Sequence, residues 1–115
     1  MTPLIDPDPI EEIRRLERAT GRSDVFSGFV RKLESMLAEF PPTFAECVAR
    51  GDAAGAVRAA HTLKGSCRQL GAAALGDLFA EVEAAAKTAN YAGAKRKFED
   101  GAALLAQSVE ALKRA

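Results

Sequence analysis

Residues 59–71 read Ala-Ala-His-Thr-Leu-Lys-Gly-Ser-Cys-Arg-Gln-Leu-Gly and hold the chain's one histidine, His61. An imidazole is a good nucleophile near neutral pH, because a large fraction of it is unprotonated there. Lys64, Gly65 and Arg68 follow at three, four and seven residues, the spacings that share one side of a helix. Each neighbour has a use if the ring takes up a phosphoryl group. Lys64 neutralises the added charge as a point cation. Arg68 does so at longer range, or meets an acidic partner. A glycine inside a helix costs about 1 kcal/mol against alanine. At Gly65 that cost fits close approach of another protein to the ring, and the competing explanation is helix–helix packing.

The helix that carries this segment must turn His61 outward. At ~100° per residue, Leu63, Cys67 and Leu70 form one stripe, with Ala56, Ala59 and Ala60 beside it, and His61 falls roughly 160° from Leu63. This third helix spans about Asp52 to Leu70 and stops at Gly71. A fourth runs from about Ala73 to Ala89 with Leu75, Leu78, Phe79, Val82 and Ala86 inward. So short a connection makes the two helices antiparallel. Val82 and Glu83 then lie level with His61. Glu83 is either a solvated surface carboxylate or the acceptor for one ring nitrogen, which would hold the other outward as the nucleophile.

The remaining elements complete a bundle. Residues 1–8 form an extended, proline-containing lead-in. A first short helix has Pro9 in its first turn, Ile10, Ile13 and Leu16 as its apolar positions, and Gly21 as its stop. Ser23 or Asp24 caps a second, with Val25, Phe26, Phe29, Val30, Leu33, Met36, Leu37 and Phe40 on its apolar side. Pro41-Pro42 removes two backbone donors and should kink or split that helix before the pattern resumes at Phe44, Cys47 and Val48. Asn90 separates the fourth helix from a fifth, about Tyr91 to Lys113, that uses Ala94, Phe98, Leu105, Val109 and Leu112. The expected fold is all-α: one domain over 1–115, an antiparallel up-down four-helix bundle with a short extra N-terminal helix across one end. Its core should be rich in Ala and Phe.

Composition excludes several functions. Lys plus Arg and Asp plus Glu are 16 each, so no basic surplus points to nucleic acid. No apolar run approaches ~20 residues, and the N-terminus lacks a signal peptide's basic and apolar blocks, so a cytoplasmic, membrane-free module is expected. Cys47 and Cys67 fall in apolar helical patterns and read as buried free thiols. One histidine and no inward carboxylate cluster cannot build a metal or cofactor site. There is no Gly-rich nucleotide loop, so the chain should neither bind ATP nor phosphorylate itself.

Around His61 the sequence resembles histidine-containing phosphotransfer (HPt) domains. Their signature is a His, then Lys-Gly three and four residues on, then a Gly six after that. Here these are His61, Lys64-Gly65 and Gly71. The likeness extends through Gly51-Asp52, Leu70-Gly71-Ala72 and Leu78 to Val82-Glu83, over roughly residues 8–113. It implies that His61 is phosphorylated and shuttles a phosphoryl group between receiver-domain aspartates of hybrid sensor histidine kinases and response regulators. Lys64 is then the electrostatic helper and Gly65 the access residue. The receiver, and not this chain, would carry Mg²⁺. The chain would be a monomeric phosphocarrier and no independent enzyme. Cys67 and Arg68 stand where the family commonly has small residues; Cys67 faces inward, and Arg68 would shape partner choice. Val57, Ala60 and Thr62 join Arg68 as docking candidates. Glu83 falls where a polar residue often contacts the histidine. The rival is a non-catalytic adaptor or dimerisation bundle, which explains the amphipathic helices but leaves the outward cluster to chance.

Overall fold

The computed structural model describes residues 2–115, and among them every regular element is a helix. There are six: α1 (Pro7–Thr20), α2 (Val25–Ala49), α3 (Ala53–Gln69), α4 (Ala73–Lys87), α5 (Tyr91–Asp100) and α6 (Ala102–Arg114). The expected fifth helix is therefore two, and the break falls at Gly101, whose ψ of 10° leaves the helical range. A side chain at Gly101 would overlap Leu78 of α4, so the glycine lets the α5–α6 corner close onto that leucine. Helix α4 ends at Lys87, before the expected Ala89, which takes a left-handed φ of 60°.

The lead-in is shorter than expected. Helix α1 starts at Pro7 because Asp6 accepts from the Asp8 backbone N–H at 3.1 Å, and prolines in the first turn need no donor. Asp6 N–H also donates to Gly71 O at 2.7 Å, and the Thr2 hydroxyl donates to Asp77. The chain's start is thus fastened to the α3–α4 corner. Gly71 has a φ of 87°, and a Cβ there would run into the Asp6 backbone, so the corner requires glycine twice over.

Helix α2 is capped from a distance. Asp24 makes no side-chain cap bond, and neither expected residue does this work. Glu17 of α1, itself buried, accepts instead from the backbone N–H groups of Val25 and Phe26, both at 3.0 Å. Leu16, expected to face inward, is exposed, as is Phe29 of α2. The Pro41-Pro42 pair does not split α2, which runs 25 residues without interruption. Phe40 and Phe44, on either side of the prolines, are buried with ring centroids 5.3 Å apart, and Phe40 also meets Phe79 of α4 edge-on. This packing outweighs the two lost backbone donors.

The core is built of Phe and Ala as expected. Phe26, Phe40, Phe44 and Phe79 pack with Leu33, Leu63, Leu75 and Val82. Helices α3 and α4 meet over Ala56, Ala60, Cys67, Ala72 and Ala86, all nearly devoid of exposed surface. Small side chains let these two axes approach closely. Their side-chain pairs, Arg68 with Asp77 and His61 with Glu83, run in opposite order along the two helices, so α3 and α4 are antiparallel. Asp52 caps α3 by accepting from Gly55 N–H at 2.9 Å.

Candidate functional site

Leu63 and Cys67 anchor α3 inward, so His61 turns outward and its side chain is 64% exposed. Nδ1 lies 3.0 Å from Oε2 of Glu83, whose side chain is only 5% exposed. The other carboxylate oxygen, Oε1, lies 2.7 Å from Lys64 Nζ. Lys87 Nζ approaches Oε2 at 3.4 Å. One buried carboxylate thus gathers an imidazole and two ammonium groups.

Burial pushes the Glu83 carboxyl up, but hydrogen bonds from Lys64, His61 and Lys87 more than offset this and bring it down to about 2. At neutral pH the group is ionised and can only accept. Nδ1 must therefore carry a proton, so in the neutral form of the ring the lone pair is on Nε2. That nitrogen belongs to an exposed ring, so it is open to an electrophile brought by another molecule.

Gly65 sits one turn on, and a Cβ built there would meet nothing within 4 Å. Packing does not explain this glycine; the space beside the ring is open. Lys64, 22% exposed, stands with its ammonium on Glu83. Arg68 does not join the cluster. Its guanidinium pairs with Asp77 at 3.2 Å and its stem crosses Gly76, where a Cβ would come within 2.8 Å of Arg68 Cγ. Of the docking candidates, Thr62 is exposed and Val57 half-buried, whereas Ala60 is wholly buried and leaves the surface. Cys67 is also fully buried, which pushes its thiol up to about 12 and removes it from nucleophilic chemistry.

Two residues were missed from the sequence. Lys87 is four residues after Glu83, the spacing of a helical ion pair, and that signal was available. Arg58, one turn before His61, is exposed, and its i−3 spacing was equally legible. Both line an open hollow of about 580 Å³ beside His61, with Ala54, Val57, Ala86 and Tyr91 among its other walls.

The family model described as the Hpt domain matches residues 11–115, nearly the whole chain. No curated protein and no solved structure matches it.

Proposed function

The chain belongs to the Hpt domain family, whose members carry phosphoryl groups on histidine in phosphorelays, and from that premise we propose that His61 accepts a phosphoryl group from one receiver-domain aspartate and passes it to another. The observation that carries the reading is the exposed His61 ring with its Nδ1 held on ionised Glu83 at 3.0 Å. In the forward step the Nε2 lone pair forms a bond to phosphorus while the bond from phosphorus to the aspartyl oxygen breaks. The carboxylate leaves with that electron pair, and the Nδ1 proton stays on the ring, bonded to Glu83. The return step runs the same exchange in reverse. Such a transfer needs in-line placement and charge neutralisation more than covalent help. The receiver would bring the Mg²⁺, and this chain brings the nucleophile, its orienting carboxylate and the lysine ammonium groups gathered on that carboxylate.

The reading also takes the chain as a cytoplasmic monomer that binds neither ATP nor nucleic acid. Among the described residues no helix is long and apolar enough to cross a membrane. Helices α2, α3 and α4, with α5 and α6 taken together, serve as the four staves of the bundle, and α1 closes one end. The receiver-facing surface runs from His61 across Thr62 toward Met36 and the exposed ring of Phe29, which borders an indentation with Ile13 and Gln69.

The test is incubation with a receiver domain phosphorylated on its aspartate, in Mg²⁺. Acid-labile, base-stable label should appear on the wild-type chain and be absent from His61→Gln. Label that persists in His61→Gln would remove the site assignment, and no label from any of several receivers would favour a plain adaptor bundle.

A further inference from the structure

Two ammonium groups contact Glu83, and they are not held alike. Among the described residues Lys64 Nζ is the sole partner of Oε1, at 2.7 Å, and its side chain is 22% exposed. Withdrawing it would leave a buried carboxylate oxygen without a partner, which is costly. Lys87 Nζ stands 3.4 Å from Oε2, which already accepts from His61 Nδ1 at 3.0 Å, and the Lys87 side chain is 61% exposed. Its withdrawal orphans nothing. Glu83, Lys64 and Lys87 together carry one net positive charge beside the ring, so the cluster is in surplus for an arriving anion. Lys87 also lines the hollow that opens beside His61.

We propose that Lys87 is the mobile charge partner of this site: when a phosphoryl group sits on Nε2 of His61, the Lys87 ammonium leaves Glu83 and pairs with a phosphoryl oxygen, while Lys64 stays on Glu83 and keeps the carboxylate in place. The inference rests on His61 as the phosphoryl carrier, and it moves to Lys87 the neutralising role expected of Lys64 and, at longer range, of Arg68. Lys64 becomes a positioning residue, acting on the ring through Glu83. A flexible four-carbon stem suits a cation that must move, and a compact ammonium suits a phosphoryl oxygen.

The experiment uses phosphoramidate, which donates to an exposed imidazole without a receiver. Nε2 bonds to phosphorus as the phosphorus–nitrogen bond breaks and ammonia leaves. In the full chain with isotope-labelled lysines, the side-chain resonances of Lys87 should move on phosphorylation of His61 more than those of Lys64. Lys87→Ala should slow labelling roughly three- to tenfold, Lys87→Arg should restore most of it, and Lys113→Ala, at the far-off pair with Glu34, should change nothing. Lys87 resonances that stay put, or Lys87→Ala labelling at the wild-type rate, would overturn the assignment. Failure of receivers to label a chain that phosphoramidate labels would instead count against the relay reading, so the two are separable.

Discussion

Glu83 is a buried carboxylate that stays ionised because three nitrogen donors surround it. Its carboxyl, ordinarily near 4.5, lies at about 2 in the folded chain. A depressed carboxyl stabilises the folded state at pH above its unfolded value and loses that contribution as pH falls through the folded value. Glu83→Gln should therefore melt several degrees below wild type at neutral pH. The gap should narrow between pH 4.5 and pH 2, as wild-type Glu83 itself gains a proton. Thermal melts of both proteins across that range provide the check, and a gap that does not change with pH would show that the carboxylate's charge is not what holds the cluster. At this scale the sequence was largely legible. The outward turn of His61 follows from helical angle alone, and Glu83 follows from counting outward from the Gly71 corner. Lys87 required looking four residues past Glu83, and the pairing of Arg68 with Asp77 was not legible because it depends on the bare surface at Gly76.

Between elements, the sequence was least informative where a side chain from one helix acts on the end or middle of another. Glu17 caps α2 across the Gly21 corner, where it is buried and bonded to two backbone N–H groups and to Arg14. A local search for capping residues finds Ser23 and Asp24 and passes it over. Glu17→Ala should lower the melting temperature by several degrees, since two donors at the head of α2 lose their acceptor. Asp24→Ala should change it far less, as Asp24 contributes only an exposed pair with Arg22. Equal effects in the two variants would return the cap to Asp24. The prolines and Gly101 teach the same lesson from opposite sides. Pro41-Pro42 carries a local signal to break, which the Phe40, Phe44 and Phe79 contacts override. Gly101 carries only a weak one, and the Leu78 side chain makes it decisive.

The whole molecule is a rod, 47 × 28 × 18 Å, with a radius of gyration of 14.8 Å against about 13 Å for a rounder domain of this length. His61, Lys64, Glu83 and Lys87 all project from α3 and α4, whose interface is packed with small side chains, so the backbone that carries these groups is already set in the resting protein. Phosphorylation of His61 should accordingly leave helical content unchanged and leave amide exchange in α5 and α6 at its resting rate, with resonance shifts confined to α3, α4 and the facing surface of α2. Altered exchange through α5 and α6 would reveal a conformational switch that the packing does not provide for. The chemistry is thus housed in a single hairpin, and α1, α2, α5 and α6 supply no atom to the cluster around Glu83. On the proposed reading, substitutions over the outer face of α2 would alter which protein is met and leave untouched the hairpin that orients the imidazole.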